Sequence, residues 1–110
     1  MEGPACLITV STSKKIWHTG FNLKAFTETP SIAPLMLVEM NILLGRMLMF
    51  PMPTIAVVSG HAYAGGLFFA LAHDVRIKNA DVGVLCMSEI NIGLSLGPGF
   101  GKIIQHTCKP

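Results

Sequence analysis

The chain has 110 residues, enough for one domain or part of one. Apolar residues make up 51% and charged residues 13%, against about 25% charged in an average soluble domain; this excludes intrinsic disorder and describes a segment with much to bury. A net charge of +2 argues against a polyanion partner, so no nucleic acid is expected.

Ala5 to Val10 is predicted as a short buried strand, and Ser11 to Lys15 as a polar turn. Ile16 and Trp17 lead into a tight turn at His18-Thr19-Gly20, where glycine accepts positive φ. Phe21 to Phe26 is expected to begin a short helix. After the break at Thr29-Pro30-Ser31, a helix is predicted from Ser31 to Met49, capped by Ser31 and ended by Pro51 and Pro53. Leu35, Val38, Ile42 and Met49 share one face of it and are the candidate core positions. Thr54 to Ser59 is a continuous apolar run, expected of a strand buried on both faces. The small-residue turn Gly60 to Gly66 opens a helix over Leu67–His73. Short strands follow at Val75–Ile77 and Val82–Leu85, then an apolar run at Ile90–Leu96, a turn at Gly97-Pro98-Gly99 and a helix over Phe100–His106. No internal repeat is visible. The alternation of strands and helices argues an α/β class.

Three cysteines without short spacings make no disulfide framework, and a reducing compartment suits them better. Four scattered histidines offer no metal-ligand spacing, so no metal is expected. The apolar stretch Ala33–Met52 contains Glu39, Asn41 and Arg46, which favours a buried amphipathic helix over a membrane span. Neither terminus carries a targeting signal.

The strand–turn–helix at Thr54–His73 carries the most chemistry. Gly65 and Gly66 allow close approach to the backbone, and the free N–H groups of a helix start can hold a phosphate or an oxyanion. A glycine turn needed only for packing explains the same residues. Ser59 and Ser88 lack a His/Asp set, so a serine hydrolase is not expected. His61 suits a turn histidine or a substrate contact, Trp17 core or a pocket wall, and Asp74 the ordering of a turn.

Pro53 to Gly66 (PTIAVVSGHAYAGG), continued by Ala70 to Ile77, resembles the signature segment of the crotonase family, the enoyl-CoA hydratases and isomerases. Met87 to Leu94 resembles the family's second active-site segment, and Lys15 to Leu23 its first oxyanion-hole loop. The three segments stand in the family's order. Phe50-Pro51-Met52-Pro53, His73-Asp74 and Met87-Ser88-Glu89 look most like the plant-type peroxisomal Δ3,Δ2-enoyl-CoA isomerases.

The resemblance implies a partial crotonase-like ββα spiral forming a single, truncated domain over residues 1–110. It implies an acyl-CoA thioester as substrate, no cofactor beyond the CoA of that substrate, and no membrane partner. It implies an oxyanion hole made by the backbone N–H groups of Phe21 and Gly65, with substrate contacts at Gly20, Asn22, Ala64, Gly66 and Phe68. Lys14, Lys15 and Lys24 stand where CoA phosphates could be met, or are solvated surface charges. Hydration needs two carboxylates; here the first position is Phe68, and only the second is kept, as Glu89. One carboxylate suffices to move a proton between C2 and C4. Glu89, which alone would read as a surface or capping residue, becomes the expected acid/base, with Leu67, Phe68 and Leu85 excluding water. The expected activity is isomerisation of 3-enoyl-CoA to trans-2-enoyl-CoA in fatty-acid β-oxidation. The alternative is an inactive fragment that binds acyl-CoA or associates with full-length paralogues. A homo-oligomer or assembly with related chains is implied. So is a peroxisomal location, or a cytoplasmic one if a signal is truly absent.

Overall fold

The structure, a computed structural model, describes residues 2–93, 95 and 97–109. The chain repeats one motif three times, two short strands and then helix. The first unit is β1 (Leu7–Thr9), β2 (Ile16–His18) and the helices α1 (Leu23–Glu28) and α2 (Ala33–Leu48). The second is β3 (Thr54–Val58), β4 (His61–Tyr63) and α3 (Gly65–Leu71). The third is β5 (Val75–Lys78), β6 (Leu85–Cys86), a 3₁₀ turn at Ser88–Ile92 and α4 (Pro98–Thr107). Odd strands form one parallel sheet, β1-β3-β5; even strands form the other, β2-β4-β6. This is a crotonase-like ββα spiral in part, within the α/β class. The repeat is one of topology, carried by strands too short to leave a sequence period.

Two apolar clusters hold the units together. Trp17, Ala56, Val58, Ala62 and Ala70 pack together, with Phe69 against them. Met40, Leu44 and Met47 of α2 meet Phe68 and Ala72, and Phe100 and Ile103 of α4, in the second cluster. The end of α3 is tied to the first sheet by polar bonds. The ring of His73 bonds Thr9 Oγ1 through Nε2 (2.8 Å) and the Phe69 carbonyl through Nδ1 (2.8 Å). The Asp74 carboxylate accepts from the N–H and hydroxyl of the buried Thr54 at 2.8 and 2.9 Å. Asp74 therefore orders this turn, and the Thr54 bonds hold its carboxyl below the usual range.

Several expectations are corrected. The expected Ala5–Val10 strand is confined to Leu7–Thr9 and half-exposed, because it is the edge of its sheet. β3 alternates, with Thr54, Ala56 and Val58 buried and Ile55 and Val57 only half-buried. Ser31 does not cap the long helix: Pro30–Ile32 forms a 3₁₀ turn, and α2 begins at Ala33 without a side-chain cap. Gly97-Pro98-Gly99 is no separate turn, since Pro98 and Gly99 start α4. The expected strand Val82–Leu85 is shifted to Leu85–Cys86, as Gly83 takes φ +88° against the Gly60 carbonyl. Leu94 and Leu96 of the expected apolar run lie outside the described residues.

The expected core face of α2 is the outer one. Val38 is 54% exposed and Met49 80%, while Met40, Leu44 and Met47 are buried. The helix is apolar nearly all round, so spacing alone does not choose a face. Pro30–Leu48 is long and apolar enough to cross a membrane by length and composition; its inner side nonetheless packs on α3 and α4. The two sides should respond differently to mutation. Leu44→Ala is expected to cost about 2–5 kcal/mol in urea unfolding, whereas Ile42→Lys, on the exposed side, should stay within about 0.5 kcal/mol. The lysine variant should also reduce self-association in light scattering, since it breaks an exposed apolar stripe.

Candidate active site

Three segments leave the second sheet at the same edge. Its strands are parallel, so their C-terminal ends lie together. Gly20 and Phe21 follow β2, Ala64 and Gly65 follow β4, and Glu89 follows β6 by three residues. In open α/β sheets this carboxyl edge is where ligands bind.

The first segment is fixed from both sides. Trp17 is buried and stacks on Phe69, with ring centroids 5.9 Å apart. Next to it, His18 Nδ1 accepts the Gly20 N–H at 2.9 Å, and Gly20 takes φ +87°. Asn22 Oδ1 then caps α1 by accepting the Lys24 N–H at 3.1 Å. Asn22, expected as a substrate contact, thus has a capping bond of its own. In the second segment the Ala64 N–H donates to the Cys86 carbonyl at 2.9 Å. Ala64 adopts φ 52°, ψ −126°, the only positive φ outside glycine among the described residues. Such a conformation costs on the order of 1–3 kcal/mol and persists only where neighbours enforce it.

The two backbones touch. A Cβ on Gly20 would stand 2.8 Å from the Gly65 nitrogen. One on Gly65 would stand 3.3 Å from Gly20 Cα and 4.0 Å from the Phe21 nitrogen. One on Gly66 would fall on the His18 carbonyl. The N–H groups of Phe21 and Gly65 are therefore neighbours, and neither has a backbone acceptor among the described residues. Two free donors side by side can serve one oxygen that gains negative charge. Met40 also belongs here, its Cε lying 3.4 Å from that Gly65 Cβ position. An open cleft of ≈ 440 Å³ runs from Phe21 along α2, lined by Leu35, Met36, Glu39, Met40 and Leu43 among others. Met40 and Glu39 were not foreseen, because nothing in their spacing separates them from the rest of the helix.

Glu89 lies in the 3₁₀ turn after β6 and is 7% exposed. Its Oε2 is buried without a hydrogen-bond partner among the described residues. A buried carboxylate oxygen left free is costly unless something else meets it. Phe68, also expected at the substrate, is wholly buried edge-on to Phe100, with centroids 4.7 Å apart. Leu85, expected to exclude water, is largely exposed. His61 Nδ1 bonds the Tyr63 hydroxyl (3.0 Å) and the Val84 N–H (3.1 Å), which gives it the structural role. Among the described residues no His, Cys, Asp and Glu group could hold a metal ion.

The class defined here is a crotonase-type fold, with the Phe21 and Gly65 backbones in close approach at the edge of a parallel sheet. Residues 5–108 match the enoyl-CoA hydratase/isomerase family, and the chain belongs to that family. It is 36% identical over 99 residues to enoyl-CoA delta isomerase 1, peroxisomal, of Arabidopsis thaliana, a match covering 90% of this chain and 41% of the relative. It is 51% identical over 55 residues to enoyl-CoA delta isomerase 2, peroxisomal, of the same plant, covering 50% and 23%. An enoyl-CoA hydratase/isomerase family protein from Pseudomonas syringae superposes with a TM-score of 0.80 at 28% identity, covering 93% of this chain and 44% of that one. The chain thus spans about two fifths of the length of the first of these relatives.

Two predictions follow from the packing. Gly66→Ala should destabilise the chain or displace the loop carrying Gly20, because the new methyl meets backbone that cannot yield; a thermal melt equal to that of the parent would refute this. Acid should also weaken the fold. Burial lowers the His73 pKa below 6.5, with the Phe69 carbonyl opposing and Arg76 adding to the effect, and desolvation lowers that of His18. Below about pH 6.5 the unfolded chain then binds more protons than the folded one. This stability is present above pH 6.5 and is lost as pH falls through the depressed folded values. Urea midpoints measured from pH 8 to pH 5 should fall, and less so in a His73→Gln variant.

Proposed function

We propose that this chain isomerises 3-enoyl-CoA to trans-2-enoyl-CoA, a double-bond shift of fatty-acid β-oxidation. The Phe21 and Gly65 N–H groups hold the thioester oxygen as it becomes an enolate oxygen. Glu89 removes the proton from C2. The C3=C4 electrons then take up that proton, returned by Glu89, at C4, and the new double bond lies between C2 and C3. The carboxylate ends as it began, and CoA enters and leaves with the acyl chain. The observation that carries this reading is the buried Glu89 carboxylate with a free Oε2, on the sheet edge that also presents the paired amides. Phe68 supports isomerisation over hydration, since it offers no second acid/base. The names of the Arabidopsis relatives support the same activity and a peroxisomal location.

A second reading, acyl-CoA binding without turnover, is favoured by the short span of the chain relative to its relatives. One experiment separates the two. The purified, folded chain is given a 3-enoyl-CoA, and the conjugated product is followed by absorbance, with Glu89→Gln alongside. The isomerase reading expects turnover that falls at least about 10²-fold in the glutamine variant while acyl-CoA binding persists. Binding without turnover in the parent chain would establish the second reading instead.

A further inference from the structure

We propose that His18 is a positioning residue: its neutral imidazole fixes the Gly20 peptide and with it the Phe21 N–H, so that protonating His18 loosens the amide pair. The consequence for catalysis rests on the function proposed above; the positioning itself does not.

His18 is the last residue of β2, and it touches both segments that carry the pair. Its Nδ1 accepts the Gly20 N–H at 2.9 Å, and its carbonyl lies where a Cβ on Gly66 would fall. The ring bond spans two residues, as in the turns that Asn and Asp form with the N–H two positions on. It holds Gly20 at φ +87°, and the next amide is that of Phe21. An imidazole accepts only when neutral; here the proton must sit on Nε2, and the imidazolium has no acceptor left. The bond is therefore made or broken by one proton.

Among the described residues, the elements packed on β2 offer no unengaged charge to stabilise that proton. β2 packs against β4 and α3. β4 carries His61 and Tyr63, which bond each other. α3 has no charged residue and is followed by His73, engaged by Thr9 and Phe69, and by Asp74, engaged by Thr54. The His18 ring itself lies near the apolar rings of Trp17 and Phe69, with centroids 6.1 and 5.9 Å away. His18 is exposed at the end of β2, and the partial burial of its ring lowers its pKa, favouring the neutral, accepting form.

The test is a pH titration of the ¹⁵N-labelled chain from pH 8 to 5, with His18→Asn and His18→Ala, each first shown to be folded by circular dichroism. In the parent, the Gly20 and Phe21 amide resonances should move together, with the midpoint of the His18 ring. In His18→Asn, whose amide oxygen can accept the same bond at any pH, they should stay near the parent's high-pH positions. In His18→Ala they should sit near the parent's low-pH positions throughout. Amides that do not titrate in the parent, or titrate alike in His18→Asn, overturn the proposal. Where the chain turns over 3-enoyl-CoA, kcat/KM should fall at least 10-fold in His18→Ala and less than 3-fold in His18→Asn, which also loses the part of the acid limb that His18 contributes. Amide shifts as expected without turnover would sink the proposed function and leave the positioning role standing.

Discussion

Parallel pairing of β2, β4 and β6 is the constraint on which the site depends. Each strand has only two or three residues, far too little to be stable alone. The pairing holds because α3 packs on β2 and β4, and because Trp17 and Ala62 pack into one cluster with Ala56, Val58 and Ala70. Once the three strands are parallel and adjacent, their exits are adjacent too. Gly20–Phe21 and Ala64–Gly65 come from sequence-distant units yet touch, and Glu89 follows the third strand at the same edge. The first sheet contributes no site residue. It provides the platform, with His73 and Asp74 anchoring the end of α3 to β1 and β3.

Close contact between backbones demands residues without side chains. Gly20, Gly65 and Gly66 stand where the two loops touch, and for Gly20 and Gly66 a methyl would strike backbone. Ala64 bears the remaining strain. Its φ of 52° is unfavourable for an L-residue, and its amide is held by the Cys86 carbonyl of β6. The third strand thus helps to impose the conformation that precedes Gly65. Amides fixed before any ligand arrives need little reorganisation when charge develops opposite them.

Much of this was legible in the sequence. β3 was, because five apolar or β-branched residues in a row admit few alternatives. The site segments were legible through their resemblance to the crotonase pattern, not through periodicity. β4 was not: His61-Ala62-Tyr63 lies between Gly60 and Ala64-Gly65-Gly66 and reads as turn, and only pairing on both edges makes it a strand. The inner face of α2 was not legible either. Leu35, Val38 and Ile42 have the same spacing logic as Met40, Leu44 and Met47, and tertiary contact with α3 and α4 decides between them. Ser31 has the right chemistry for a cap, but Pro30 starts a 3₁₀ turn that moves the helix start past it. The His18 ring bond is local, reaching Gly20 two residues on, but no spacing rule singles a histidine out for it.

Phe68 links the chemistry of the site to the stability of the fold. It occupies the position where resemblance to the hydratases calls for a carboxylate, and it is wholly buried in the cluster joining α2, α3 and α4. A carboxylate there would stand against Phe100 and need a partner that the surrounding apolar residues do not offer. Phenylalanine instead gives α4 an aromatic contact, edge-on at 4.7 Å. The same choice removes a second acid/base and fastens the last helix to the core. In this chain the absence of a carboxylate at this position and the continuous apolar cluster in its place are one design, set by one residue of α3.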